Sequence, residues 1–133
     1  MTGRTASCRC GQLTSILTGD PVRVSVCHCL NCKKRSGSSF AAQVRFPFSH
    51  AKIEGRSSTF DKVGDSGGRA TFHFCPECGS DVYYLIADDP DALIAVPIGA
   101  FDDPFPFTPD YSVYESRKHK WLEIVGEGID HID

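Results

Sequence analysis

Seven cysteines fall in three short clusters, Cys8-Arg9-Cys10, Cys27-His28-Cys29-Leu30-Asn31-Cys32 and Cys75-Pro76-Glu77-Cys78-Gly79, and none lies elsewhere in the 133 residues. Thiolates spaced in this way bind soft metal ions, zinc above all. Cys75-Pro-Glu-Cys78-Gly79 has the form of a zinc knuckle, a tight turn that brings two sulfurs onto one ion while backbone N–H groups point at them. Gly79 stands just past the turn, where a positive φ is cheapest. Cys8 and Cys10 would share an ion by different means, because residues i and i+2 of an extended segment face the same way. The middle cluster combines both patterns, and one ion can use Cys27, Cys29 and Cys32 together. Disulfides fit poorly, since an odd count leaves a thiol over.

Four-coordinate zinc permits two partitions of these sulfurs. A zinc ribbon would join Cys29 and Cys32 to Cys75 and Cys78, leaving Cys8, Cys10 and Cys27 without a role across a long 42-residue insertion. The other scheme uses every cysteine: Cys8, Cys10, Cys75 and Cys78 close one site, and Cys27, Cys29 and Cys32 form a second with three protein ligands. Closed four-ligand sites are structural, whereas three ligands with an open position are the arrangement of catalytic zinc. Spacing alone leaves both open.

The elements that must position these residues read as mostly β. Period-two alternation with β-branched and aromatic residues recurs, and no long stretch has helical period. Strands are expected at 12–17, 22–26, 40–46, 51–54, 58–63, 70–74, 82–86, 93–97, 112–115 and 121–125. Turn signals separate them, among them Gly19-Asp20-Pro21, Asp65-Ser66-Gly67-Gly68 and Asp88-Asp89-Pro90. Pro104, Pro106 and Pro109 exclude 102–110 from a sheet interior, so it reads as an ordered loop anchored in the core by Phe101, Phe105 and Phe107. Trp121 is expected in the core and His73 facing solvent. His28, between two cysteines, points away from them on an extended segment and is not read as a ligand. The paired aspartates at 88–89 and 102–103 read as turn formers.

Net charge is −3, but it is unevenly distributed. Residues 1–60 carry nine Lys or Arg against two acids, +7, and residues 61–133 five against fifteen, −10. Metal-bound thiolates are negative, and Lys33, Lys34 and Arg35 directly follow Cys32, so they are candidates to screen the cluster and receive an anionic ligand. Nucleic acid is disfavoured, since neither a helical basic stripe nor an aromatic-rich strand pattern accompanies the charge. Length and composition indicate one globular domain, residues 1–133. No apolar run approaches the roughly 20 residues needed to span a bilayer, and the start of the chain lacks a signal-peptide apolar region. A cytoplasmic protein with no membrane partner is expected, in a compartment where structural disulfides seldom survive.

The order C-x-C, then C-H-C-x-x-C followed by Lys33-Lys34-Arg35-Ser36-Gly37-Ser38, then F-C-P-E-C-G-S at 74–80, resembles the glutathione-dependent formaldehyde-activating enzyme family, which includes centromere-protein-V-like proteins. Phe46, Gly55, Arg69, Gly99-Ala100-Phe101-Asp102 and Trp121 extend the resemblance over residues 7–125. Many members carry a His-Ile pair before the terminal Trp; here the corresponding stretch is Tyr111-Ser112-Val113-Tyr114. The resemblance implies a β-tent fold of short antiparallel sheets stapled by zinc. It also implies the second partition, with Cys8, Cys10, Cys75 and Cys78 on a structural zinc and Cys27, Cys29 and Cys32 on a catalytic zinc at full or partial occupancy. The activity it implies is that of a zinc-dependent carbon-sulfur lyase, of the S-(hydroxymethyl)glutathione synthase type. The substrate would be a thiol adduct of a small carbonyl compound, with glutathione as a candidate thiol. Two rivals are a zinc-stabilised protein-binding module without catalysis, and a metal- or redox-responsive protein using Cys27, Cys29 and Cys32.

Overall fold

The computed structural model describes residues 3–64 and 67–133; Asp65 and Ser66 of one expected turn lie outside the described residues. The strands are β1 (Arg4–Ser7), β2 (Thr14–Leu17), β3 (Arg23–Cys27), β4 (Ala41–Pro47), β5 (Ala51–Glu54), β6 (Ser58–Val63), β7 (Arg69–Phe74), β8 (Asp81–Ile86), β9 (Leu93–Pro97), β10 (Tyr111–Val113) and β11 (Asp130–His131). A seven-residue helix, α1 (Leu30–Ser36), follows β3. The protein is mostly β, as the alternation predicts. At 51–54, 58–63 and 93–97 the expected spans coincide with the observed strands, and six others differ at their ends.

Two sheets form, a three-stranded one ordered β1-β2-β5 and an eight-stranded one ordered β11-β10-β3-β4-β9-β8-β7-β6. The small sheet is antiparallel, but the large one is mixed, because β10 runs parallel to both β3 and β11. Within it, Val24 pairs with Val44 and Val44 with Val96. Alternate residues share a face of the sheet, so this valine row joins Phe46 and Ile94 on one side of the central strands. That side packs with Ala6, Leu13 and Leu17 of the β1–β2 region, and with Phe101, into the core. Phe46 is fully buried, and truncating it to alanine would cost about 3–5 kcal/mol. Arg23, Ser25, Cys27, Gln43 and Arg45 occupy the intervening positions and face the other way, into a cavity.

Just past the end of β5, Gly55 packs against the β1–β2 turn. Its φ is +97°, and a Cβ there would sit 1.9 Å from the Gln12 carbonyl oxygen, so only glycine allows this approach. The 102–110 loop is held at both ends. The Asp102 N–H donates to the Thr5 carbonyl at 2.9 Å and the Asp110 N–H to the Val24 carbonyl at 2.7 Å. Turn chemistry accounts for the aspartate pairs, with Asp89 accepting from the Asp91 and Leu93 N–H groups and Asp103 from that of Phe105.

Four expectations are corrected. Residues 121–125 form no strand, and Trp121 is 71% exposed, stacked at 5.0 Å on His119 instead of buried. Phe101 and Phe107 pack in or against the core, but Phe105, between two prolines, is 89% exposed. His73 does not face solvent freely: it stacks on Tyr83 at 4.3 Å, and its Nδ1 lies 2.9 Å from the Ser57 hydroxyl. The helix at 30–36 and the terminal strands β1 and β11 were not expected from periodicity. Among the described residues, no helix is long and apolar enough to cross a membrane.

Candidate metal centres and an adjoining cavity

The fold gathers the cysteines into two groups. Cys8, Cys10, Cys75 and Cys78 bring their sulfurs within 4.8 Å of one another, and so do Cys27, Cys29 and Cys32. Cys29 and Cys32 are therefore in a different group from Cys75 and Cys78, which is not the ribbon arrangement.

The four-sulfur group joins the β1–β2 turn to the knuckle after β7. Cys75 is fully buried, and its sulfur accepts the Glu77 N–H at 3.3 Å, while Gly79, at φ +77°, returns its N–H to the Cys75 carbonyl at 2.8 Å. Across the turn, Cys8 Sγ accepts the Leu13 N–H at 3.3 Å. The Cys8–Cys10 and Cys10–Cys75 sulfurs stand 3.6 and 3.7 Å apart. A tetrahedral zinc with bonds of about 2.3 Å needs sulfurs about 3.8 Å apart, so these separations fit the ion. The Ser80 hydroxyl, and then its N–H, pull the Cys78 thiol down to about 5, which favours the thiolate a metal requires.

The three-sulfur group lies where β3 gives way to α1. Cys29 caps the helix, its sulfur accepting the Cys32 N–H at 3.3 Å. Hydrogen bonds from Cys27, and further from Cys29 and Arg35, lower the Cys32 thiol to about 6, and Cys27, which supplies the first of them, is raised. His28 is not in the group. It is fully buried between the cysteines, Nε2 2.9 Å from the Ser112 hydroxyl of β10, and burial lowers its basicity. A soft set of three thiolates fits zinc with one coordination position left to another ligand.

The basic run after Cys32 divides by function of position. All three residues occupy the last turn of α1, where cations complement the helix dipole. Lys33 donates to the Arg117 carbonyl at 2.6 Å. Lys34 lines a groove of about 330 Å³ with Phe60, Phe72 and Phe74. Arg35 alone of the three reaches the larger cavity, of about 510 Å³, that Cys27, Cys29 and Cys32 also line. It sits 3.6 Å from Asp81, with its guanidinium over the rings of Phe72 and Tyr84 at 5.4 and 5.3 Å. Three further arginines, Arg23, Arg45 and Arg69, line that cavity, as do Gln43 and Tyr84. Sequence reasoning did not single out Arg23, Arg45, Gln43 or Tyr84 as site residues. For Arg23, Gln43 and Arg45 the only signal was polar residues alternating with valines, which acquires meaning once the β3–β4 register is known. Tyr114, also on the wall, holds a left-handed backbone at φ +56° without being glycine.

Comparison with known proteins matches residues 3–117 to the family described as glutathione-dependent formaldehyde-activating enzyme. Among solved structures, a Rhodobacter sphaeroides protein shares the fold at 18% identity. The match covers 74% of this chain and 87% of that one, with a TM-score of 0.56. No curated protein matches the chain.

Proposed function

The chain belongs to the glutathione-dependent formaldehyde-activating enzyme family, and on that premise we propose that it is a zinc-dependent, carbon-sulfur lyase-like enzyme acting on a thiol adduct of a small carbonyl compound, with glutathione as the thiol. The observation that carries the reading is the opening of the Cys27, Cys29 and Cys32 sulfurs into a cavity of about 510 Å³ lined by four arginines. Cys8, Cys10, Cys75 and Cys78 would hold a structural zinc, and Cys27, Cys29 and Cys32 a second one. Zinc in that second site supplies a cation that keeps an added thiol in its thiolate form at neutral pH. The hydrogen bond from Cys27, with Arg35 in support, lowers the Cys32 thiol, so that this sulfur is the readily ionised member of its pair with Cys27. The cationic wall attracts an anionic thiol, and Phe72 and Tyr84 give it an apolar flank. In the addition direction the thiol sulfur bonds to the carbonyl carbon, the C=O π pair moves to oxygen, and the thiol proton ends on that oxygen. The lyase direction reverses each move. Such a protein belongs in a reducing compartment, the cytoplasm.

Calorimetry with glutathione on zinc-loaded wild type and Cys29→Ser, at two salt concentrations, tests the reading. Wild type should bind, added salt should weaken binding, and the variant should stay folded yet fail to bind. Absence of binding heat in wild type would remove glutathione. A Cys29→Ser variant that unfolds as badly as Cys75→Ser would move the protein to the binding-module reading.

A further inference from the structure

The β3–β4 ladder arranges the cavity floor in three rungs: Cys27 opposite Ala41, Ser25 opposite Gln43, and Arg23 opposite Arg45. Arg23, Ser25, Cys27, Gln43 and Arg45 all line the cavity. Each rung lies two residues, or about 6.6 Å, from the next, so the arginine pair begins about 13 Å along the strands from Cys27. Like charges placed directly opposite on a sheet repel, and the fold gains nothing from this pair by itself. The arginines are incompletely satisfied. Arg23 lies over the Tyr111 ring at 4.3 Å and Arg45 reaches the Tyr84 hydroxyl, yet the Nε of each is buried with no hydrogen-bond partner. Among the described residues neither joins an ion pair, although Asp133 is on the cavity wall. On the middle rung, Gln43 is only 4% exposed; its Nε2 is 3.4 Å from the Ser25 hydroxyl and its Oε1 has no partner. A buried acceptor and two buried donors left open beside one cavity are costly unless a ligand completes them.

We propose that Arg23 and Arg45 bind a carboxylate of the ligand and Gln43 Oε1 accepts one of its N–H groups, so that the site selects a peptide thiol. The ligand's order of groups matches the rungs, with sulfur at Cys27, an amide or ammonium N–H at Gln43 and a carboxylate at the guanidinium pair. Guanidinium suits a carboxylate because its planar fork makes two parallel hydrogen bonds. This inference rests on the thiol reading above for the sulfur end, but the arginine end is testable without it.

The probe is S-methylglutathione, whose sulfur cannot become a thiolate, compared with its diethyl ester by calorimetry on the zinc-loaded full chain. Wild type should bind the diacid at least tenfold more tightly than the diester. Arg23→Met and Arg45→Met should each lose that preference, with melting temperature and zinc content checked for both. Arg45→Lys, which keeps the charge and loses the fork, should bind between wild type and Arg45→Met, and it serves as the deciding variant if methionine there disturbs the fold. Gln43→Leu should weaken diacid and diester alike. Equal binding of diacid and diester to wild type, no binding of either, or arginine variants as tight as wild type would each overturn the proposal. Because the probe lacks a thiol, failure of the thiol reading in the Cys29→Ser experiment leaves this result to be judged separately.

Discussion

Gln12 donates from Nε2 to the Cys75 sulfur at 2.9 Å, bridging the β1–β2 turn and the knuckle that together hold four cysteines. The same amide also meets the chain after Gly55, donating to the Arg56 carbonyl at 2.7 Å and accepting the Arg56 N–H at 3.0 Å. A side chain that stabilises a thiolate and pins two loops tunes the metal it does not touch. Gln12→Leu should therefore lower zinc affinity at the four-sulfur site by about 10–100-fold. Stability should fall by about 1 kcal/mol, because the part-buried sulfur loses its donor while the exposed Arg56 groups turn to water. Chelator competition and thermal melting measure the two effects, and an unchanged zinc affinity would count against the bridging role.

Cys75→Ser tests whether that site holds the fold. Cys75 is fully buried among the core residues, and its group ties segments 65 residues apart. Structural zinc contributes on the order of 10 kcal/mol or more to small domains, comparable to a whole domain's stability. The variant should be insoluble or should lose cooperative melting. Retained wild-type melting would mean that the group is not a closed structural site.

The single tryptophan offers a check on the fold's C-terminal segment. With Trp121 71% exposed and stacked on His119, its fluorescence should have the emission maximum of indole in water and be readily quenched by iodide. Trp121→Ala should change stability by no more than about 0.5 kcal/mol, as surface substitutions do. A blue-shifted, unquenchable emission would place the ring in the core, as its residue type alone suggests.

What the sequence revealed follows from the range of each signal. The knuckle at Cys75–Cys78 and the i, i+2 pairs are local, and strands such as Ser58–Val63 announce themselves by alternation, so both were legible. Helix α1 has seven residues, too few for helical periodicity to emerge, and it is capped by Cys29, which is not a usual capping residue. Residues 121–125 alternate well enough but have no ladder partner, and alternation cannot report that. The parallel pairing of β10 with β3 joins Ser112 to Val26 across the chain and brings Ser112 to His28, a relation no local pattern encodes. The same is true of Arg23 beside Arg45. Each is an ordinary polar position on its own strand, and only the register makes them one cationic pair.

The central claim is one closed and one open sulfur site, and zinc-edge X-ray absorption on the fully loaded protein tests it most directly. Four sulfurs on one ion and three on the other predict about three and a half sulfurs per zinc, with a lighter oxygen or nitrogen ligand making up the rest. Saturating glutathione should raise the average to about four and remove the lighter ligand. An average of four before any thiol is added, or no change on adding it, would contradict an open site at Cys27, Cys29 and Cys32.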